Sequence, residues 1–184
     1  VQAIAEPSIA ATQELMRQAD LIVATGGAAM VRAAYSSGTP AYGVGVGNAV
    51  HVVDETADLD DAATAIAAAK TFDFATSCLA DNALVADAGV YDGLLERLVA
   101  AGGHVCSADE KVQLQRAMWP DDGAIPTLDV IAKPASRLAE LAGFTIADDR
   151  TFLSVEDESA GAGHPFSGEK LSVVRRIAKE QLGA

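Results

Sequence analysis

The chain has 184 residues, half of them hydrophobic and 21% charged, so it can bury a sizeable core and is not a disordered protein. Its formal net charge is -13, which argues against a groove that follows the phosphates of DNA or RNA. Two cysteines are too few for a disulfide framework, and no apolar run approaches the roughly 20 residues that span a bilayer, so we expect a cytoplasmic protein with no nucleic-acid or membrane partner.

The first part of the chain alternates helical stretches with short apolar runs. Helices are predicted at Ser8–Gln18, Ala28–Ser36 and Leu59–Lys70. Strands are predicted at Leu21–Ala24, Ala41–Val46 and Val50–Val53. Glycines and prolines punctuate these segments, and acidic residues open the third helix, as the helix dipole favours.

The second part repeats the alternation. Helices are predicted at Val90–Ala101, Ser107–Met118 and Pro134–Ala142, the second of them opened by a Ser107–Glu110 capping box. Strands are predicted at Ala83–Ala86, His104–Cys106, Leu128–Ala132 and Phe152–Val155. Near the end, Ser172–Val174 indicates the start of a strand, yet Arg175–Gln181 indicates a basic helix with no turn between them. The alternation predicts an α/β fold with open, mostly parallel sheets and flanking helices.

Residues Ala24-Thr25-Gly26-Gly27 follow a predicted strand and precede a predicted helix. A strand-to-helix turn with two glycines lets backbone amides approach a phosphate or a nicotinamide ribose. The dinucleotide-binding fingerprint is longer than this, so an ordinary tight turn is the alternative on spacing alone.

Alternating glycines occupy the stretch Gly43-Val44-Gly45-Val46-Gly47-Asn48. They leave one face of the backbone without side chains, so another group can pack closely against it. That group is either a cofactor ring, with Gly45 as a contact, or a neighbouring helix.

Cys78 follows the segment Lys70-Thr71-Phe72-Asp73-Phe74-Ala75-Thr76-Ser77. A buried structural cysteine is the commoner case, whereas a nucleophile needs partial exposure and a stabilised thiolate. Cys106, in an apolar setting, is interpreted as a core residue. A zinc site of Cys78, Cys106 and His104 is conceivable, but no pair has the spacing of metal ligands, so no metal is predicted.

Four stretches together resemble the aldehyde dehydrogenase superfamily, and its CoA-acylating branch in particular. They are ATGGAAMVRAAYSSGTPAYGVGVGNAVHVVDETADLD, KTFDFATSC, IAKPASRLAELAGF and DESAGAGHPFSGEKLS, in the order and with the spacing of that family. Each is weak alone and they are specific jointly. The resemblance covers the chain up to about Ser172.

The resemblance implies a role for each matching position. Cys78 matches the catalytic cysteine, and Thr25, Gly26 and Gly27 match the turn that contacts NAD or NADP. Glu169 matches the glutamate that bonds the nicotinamide ribose, and Leu171 stands where an aromatic residue packs on the ring. It also implies that residues 1–69 belong to the Rossmann-like cofactor domain and residues 70–184 to the catalytic domain.

One departure from the superfamily's pattern distinguishes two reactions. Hydrolytic members carry a glutamate in the glycine-rich stretch, and aligning Asn48 with the lysine that follows places Val44 at that position. Valine cannot act as a base that activates water, so the resemblance implies transfer of the acyl group from Cys78 to coenzyme A. The hydrolytic enzyme is the first alternative, and an inactive structural fragment is the second.

The segment beside Cys78 is expected to line the aldehyde pocket through Phe74, Thr76 and Ser77. The two hydroxyls suit an anionic substrate group such as a sulfonate, so sulfoacetaldehyde is a candidate beside acetaldehyde. The family is much longer than 184 residues, so we expect this chain to be a fragment that is inactive alone. By analogy the intact enzyme is a homo-oligomer, in the cytoplasm or in a bacterial microcompartment.

Overall fold

Parallel strands and the helices that connect them make up most of the computed structural model, which describes residues 2–45, 47, 49–120, 126–157, 165–166 and 171–178. The chain divides into two compact units, Val1–Val46 and Gly47–Ala184. Every strand pairing recorded between the described residues is parallel. The predicted α/β class, with mostly parallel sheets and flanking helices, is confirmed.

The first unit is a strand–helix–strand motif preceded by a helix. Its elements are α1 (Ile9–Gln18), β1 (Ile22–Thr25), α2 (Ala28–Tyr35) and β2 (Ala41–Val44). Strands β1 and β2 pair in register from Ile22 with Ala41 to Thr25 with Val44. Met16, Ile22, Ala24 and Ala34 form its small core, which brings the two helices onto the sheet.

The second unit is built on a five-stranded sheet. Its elements in chain order are β3 (Ala49–Val53), α3 (Leu59–Thr71), β4 (Asp81–Ala86), α4 (Ala88–Ala100), β5 (Gly103–Val105), α5 (Ala108–Met118), α6 (Ala135–Ala142), β6 (Phe152–Glu156) and β7 (Val173–Ala178). The strand order is β3-β4-β7-β6-β5. All residues of β4 are buried, as expected of a parallel strand covered on both faces.

Two hydrophobic clusters cover the faces of this sheet. One, with Ile66, Leu94 and Leu98, packs α3 and α4 against the strands. The other, with Leu114, Met118 and Leu138, packs α5 and α6 on the opposite face. The neighbours Phe152 and Leu153 of β6 belong to different clusters, because successive side chains of a strand point to opposite faces.

The predicted strand at Leu128–Ala132 is wrong. Residues Leu128–Val130 form a single 3-10 turn, and Ala132 has a positive φ of 55°. Leu128 is exposed and Val130 is buried in the α5/α6 cluster. No described strand pairs with this segment. Instead of forming a strand, it contributes the buried side chain of Val130 to the core.

The predicted helix at Arg175–Gln181 is also wrong where the structure describes it. Residues Val173–Ala178 form β7, which pairs with β4 on one side and with β6 on the other. Pairing on both sides satisfies the backbone groups of a central strand. Two arginines gave this segment a helix-like composition, whereas its neighbours in the sheet determine its conformation; residues 179–181 lie outside the described part.

The compact units divide at a different place from the predicted domain boundary. Strand β3 and most of helix α3 precede residue 70, and they pack with β4 and α4 in the second unit. The division into residues 1–69 and 70–184 concerns the domains of a longer enzyme and stays a prediction. Among the described helices, none is long and apolar enough to cross a membrane.

Candidate functional site

Cys78 lies in the connection between α3 and β4, three residues before β4 begins, and is an exposed free thiol. It is therefore at the amino edge of a strand inside the sheet, which places it on a rigid support. Leu79 beside it is also exposed, whereas Ala80 is buried. A partly exposed loop on a rigid scaffold is where a nucleophile meets a substrate.

A left-handed turn leads into Cys78. Asp73, Phe74 and Ala75 have φ angles of 47°, 52° and 59°, and none of them is glycine. Such a conformation costs roughly 1–2 kcal/mol per residue for an L-amino acid, so the surrounding packing must hold it. Ala75 is fully buried and acts as the anchor, while Phe72 and Phe74 remain exposed.

A buried lysine lies at the end of α3, directly before this turn. Lys70 is fully buried, and its Nζ donates a 3.0 Å hydrogen bond to Oδ1 of Asn82 in β4. Burial lowers the pKa of Lys70 to about 7, with the Asp81 carboxylate opposing the shift. Asp81 in turn lies 3.2 Å from Nδ1 of His51 in β3. These contacts join α3 to β4 and β4 to β3.

The backbone N–H of Cys78 is available as a donor among the described residues. The N–H groups of Thr76, Leu79 and Ala80 donate to Asp73 O, Ser77 Oγ and Ser77 O. The N–H of Cys78 has no acceptor among the described residues. An unpaired N–H next to an exposed thiol is suited to stabilise a negative oxygen on a carbonyl that such a thiol attacks.

The three predicted pocket residues lie beside Cys78, but their polar groups are engaged differently. The hydroxyl of Thr76 donates to Asp73 O at 2.5 Å. The hydroxyl of Ser77 accepts from Leu79 N at 3.2 Å and keeps its own proton free to donate. Phe74 is half exposed and adds an apolar surface. Ser77 is therefore the better candidate to bond a substrate.

The predicted cofactor turn lies in the first unit, at the carboxyl end of β1. Gly26 N donates to Val44 O at 3.1 Å, which joins the turn to the end of β2. Gly27 is the N-cap of α2 and makes no side-chain capping bond, so the first amides of the helix remain available. A side chain added at Gly27 would meet nothing within 4 Å. These features fit the approach of a ribose or a phosphate.

The glycines that follow have separate roles. A Cβ on Gly43 would lie 2.6 Å from Val31 Cγ1 and 2.8 Å from Tyr35 Cε2, so this glycine admits helix α2 to the sheet. A Cβ on Gly45 would meet nothing within 4 Å. The neighbouring-helix interpretation holds at Gly43, and a cofactor contact at Gly45 stays a prediction. Val44 is exposed and carries no proton acceptor.

The remaining predicted contacts are differently placed. Glu169 lies outside the described residues. Leu171 is buried in the α5/α6 cluster with Trp119 and Phe166, so its position gives no support to a contact with the cofactor ring, which stays a prediction. Cys106 is buried, as expected, and burial raises the pKa of its thiol to about 12. Compared with Cys78, the Cys106 thiol is a poor nucleophile.

Sequence reasoning missed Lys70 and Asn82 as partners. The signal was present in α3, because Ala63, Ile66 and Lys70 recur at the spacing of one helix face, and all three are buried. A lysine on an apolar stripe of this kind needs an acceptor inside the fold. Its partner could not be found from spacing, since Asn82 lies on a different element.

Comparison with known proteins identifies relatives over almost the whole chain. A sulfoacetaldehyde dehydrogenase (acylating) of Cupriavidus necator is 49% identical over 177 residues, which cover 95% of this chain and 36% of that protein. An acetylating aldehyde dehydrogenase from Geobacillus thermoglucosidasius superposes with a TM-score of 0.86 at 34% identity, covering 94% of this chain and 38% of that one. No protein-family model matches the chain.

Two further solved structures carry ligands. Propionaldehyde dehydrogenase from Rhodopseudomonas palustris, with bound propionyl-CoA, has a TM-score of 0.82 at 28% identity and covers 94% of this chain and 38% of that one. An engineered glycolyl-CoA reductase with bound NADP+ has a TM-score of 0.83 at 28% identity, covering 94% and 40%. The chain spans a little more than a third of the length of these relatives. By sequence and by fold, it is homologous to a segment of the acylating aldehyde dehydrogenases.

Proposed function

We propose that the protein containing this segment is a CoA-acylating aldehyde dehydrogenase, in which Cys78 carries the acyl group. The observation that supports the proposal most directly is the geometry of Cys78. Its thiol is exposed at the edge of the sheet, and its own N–H is unpaired among the described residues. The other cysteine is buried and holds its proton, so it does not compete.

The reaction follows from these groups. The Cys78 thiolate attacks the aldehyde carbon, and the Cys78 N–H stabilises the oxygen of the thiohemiacetal. A nicotinamide dinucleotide supplies the hydride acceptor, and the Thr25-Gly26-Gly27 turn with Gly45 fits its ribose and phosphates. The thiohemiacetal anion loses hydride alone to that acceptor, which leaves a neutral thioester on Cys78. The thiolate of CoA then takes the acyl group, and the Cys78 thiolate leaves.

We infer CoA and not water as the acyl acceptor because the position that aligns with the base of hydrolytic enzymes holds no base in this sequence. Val44 occupies that position and its side chain is a hydrocarbon. A thiolate needs no such base to attack a thioester. The relatives named acylating and the bound propionyl-CoA of one solved structure support the same choice.

For the aldehyde, we propose sulfoacetaldehyde. The Cupriavidus necator relative carries that name, and Ser77 offers a free hydroxyl donor next to the nucleophile. The engaged hydroxyl of Thr76 offers less. A donor beside the carbonyl suits a substrate whose far end is an anion. The homo-oligomeric state of the intact enzyme and its location, cytoplasm or microcompartment, stay predictions.

The decisive experiment follows NADH formation by the intact enzyme with a short aldehyde, with and without CoA, beside a Cys78→Ala variant. Turnover that requires both CoA and Cys78 supports the proposal. Turnover without CoA that yields a free acid would mean that another group activates water. No turnover in any condition would favour a structural role for the segment.

The substrate is tested by comparing sulfoacetaldehyde with acetaldehyde in Ser77→Ala and Thr76→Val variants. We expect Ser77→Ala to lower kcat/KM for sulfoacetaldehyde by roughly 10-fold or more, because a hydrogen bond to a charged group contributes about 1.5–3 kcal/mol. Acetaldehyde should be affected much less. Equal losses for both aldehydes would assign Ser77 to the loop and not to the substrate.

A further inference from the structure

Three side chains with metal-binding atoms converge where β5 passes into α5. They are His104, Cys106 and Glu110, and their ligand atoms all lie within 4.8 Å of one another. Their chemistry is one imidazole nitrogen, one thiol and one carboxylate. This is the only such group of three among the described residues.

Local structure explains the convergence. His104 and Cys106 are two residues apart on an extended segment, and Cys106 N still bonds Ser154 O of β6 at 2.9 Å, so both side chains lie on one face. Glu110 is the third residue of α5, and its carboxylate reaches back to accept from Ser107 N at 2.8 Å. The capping box therefore holds the carboxylate beside the strand.

The imidazole contacts an aromatic ring and the carboxylate. Its ring stacks on Phe144, with centroids 6.0 Å apart. Nε2 lies 3.3 Å from Oε1 of Glu110. Two ligands on a tetrahedral zinc ion at ordinary bond lengths are ~3.3 Å apart, so this pair already has the separation that zinc requires. The Cys106 sulfur lies within 4.8 Å of a ligand atom of each of these two side chains.

The site is separate from the nucleophile. All strands of the five-stranded sheet run parallel; Cys78 precedes β4, whereas Cys106 follows β5. The two cysteines therefore lie at opposite edges of the sheet. The conceivable set of Cys78, Cys106 and His104 is not formed, and Glu110 takes the place of Cys78. His104 and Glu110 are partly exposed, so an ion can enter and keep a water as its fourth ligand.

We propose that His104, Cys106 and Glu110 form a binding site for zinc that joins the end of the edge strand β5 to the first turn of α5. The mixed nitrogen, sulfur and oxygen donors suit a borderline-soft divalent cation and not magnesium or calcium. On binding, Cys106 releases its thiol proton to the solvent and the ion takes the thiolate. The ion stabilises the fold and takes no part in the aldehyde reaction.

The test uses the protein with Cys78→Ala, so that the exposed thiol does not bind the ion. Cobalt(II) replaces zinc as a probe, because a cysteine thiolate gives a charge-transfer band with cobalt in the near ultraviolet. We expect the band to appear, zinc to displace cobalt, and zinc to raise the melting temperature. The cobalt band and the rise in melting temperature should both disappear when Cys106→Ser, a change of similar volume, is added.

The other ligands are tested in the same background. His104→Ala and Glu110→Gln should weaken zinc binding by more than about 10- to 100-fold, the loss seen when a group that merely orients a ligand is removed. Asp109→Asn, next to Glu110 in the first turn of α5, is the control for charge. Ser107→Ala, which removes a cap but no ligand, is the control for helix stability.

Circular dichroism of each metal-free variant verifies that it is folded. Absence of the band in Cys78→Ala overturns the proposal, as does a band that survives Cys106→Ser. Zinc affinity that is unchanged by His104→Ala or Glu110→Gln also overturns it. None of these outcomes depends on enzymatic turnover, so the zinc site and the proposed reaction stand or fall separately.

Discussion

At the scale of single residues, the two cysteines have opposite environments. Cys78 is exposed, whereas Cys106 is buried and its pKa is raised to about 12. Reaction of a thiol requires both access and the thiolate form. The fold therefore leaves the Cys78 thiol accessible to reagents and shields the Cys106 thiol from them.

Modification by a thiol reagent at about pH 8 should therefore select Cys78. We expect it to react at least about 100-fold faster than Cys106, because Cys106 has less thiolate and less access. Peptide mass mapping at short times gives the two rates. In urea the rates should converge. Equal rates in the native protein would remove the basis for Cys78 as the nucleophile.

Lys70 should make stability depend on pH. Its folded pKa is about 7, while the unfolded value is about 10.4. Between these values the unfolded chain binds more protons, so the free energy of unfolding rises with pH; below about pH 7 both states are protonated and the cost of burying the charge is complete. The difference between wild type and Lys70→Met should rise by at most about 1.4 kcal/mol per pH unit.

Urea unfolding at pH values between about 6 and 9 measures this difference. Lys133→Met, at an exposed lysine, is the matched control and should give a flat difference. A flat difference for Lys70→Met as well would mean that Lys70 remains charged and hydrated in the folded protein. The comparison with wild type cancels the contribution of every group that the two proteins share.

At the scale of elements, the glycine-rich stretch combines a packing role with an open position. Gly43 lies against Val31 and Tyr35 of α2, and its N–H donates to the Tyr35 hydroxyl at 3.0 Å. Gly45 follows the end of β2 and has free space around it. Packing against α2 therefore requires a glycine at position 43, whereas no packing contact requires one at position 45.

A pair of alanine substitutions separates the two roles. Gly43→Ala should lower the free energy of unfolding by about 1–3 kcal/mol, because its Cβ overlaps side chains of α2. Gly45→Ala should change it by less than about 0.5 kcal/mol. If Gly45 contacts the cofactor, Gly45→Ala should raise KM for NAD or NADP while leaving stability nearly unchanged. Urea unfolding and steady-state kinetics of the intact enzyme measure the two effects.

At the scale of the whole molecule, β7 completes the large sheet between β4 and β6, and a buried arginine joins it to a helix. Arg176 Nη1 donates to the Tyr91 hydroxyl of α4 at 2.8 Å, and its guanidinium lies 5.6 Å from the ring centroid. Its Nε has no partner among the described residues, so this charge depends heavily on Tyr91. The bond links the last described strand to the α3/α4 side of the sheet.

Tyr91→Phe should therefore destabilise the protein although it removes only one heavy atom, the hydroxyl oxygen. We expect a loss of about 1–3 kcal/mol in the free energy of unfolding, because a buried charged donor loses its acceptor. Tyr42→Phe, at an exposed tyrosine of β2, should be neutral. Urea denaturation of the three proteins measures the effect. A neutral Tyr91→Phe would mean that water replaces the hydroxyl.

The local pattern of the sequence determined most of the elements. Alternating apolar runs and helical stretches predict the parallel α/β fold, and the Ser107–Glu110 capping box is present as expected. The residues around Cys78 alone left a buried cysteine as the commoner case, whereas the thiol is exposed in the structure. The elements and the cap depend on neighbours in the chain, which periodicity and capping reveal.

Only the tertiary structure decided the rest, because the deciding partners lie far apart in the chain. Two flanking strands make Val173–Ala178 a strand in spite of its arginines, and Asn82 makes Lys70 a buried donor. The close approach of helix α2 requires a glycine at position 43. The capping box of α5 brings Glu110 to His104 and Cys106. A spacing rule sees one segment at a time, whereas these contacts form only when separate elements pack together.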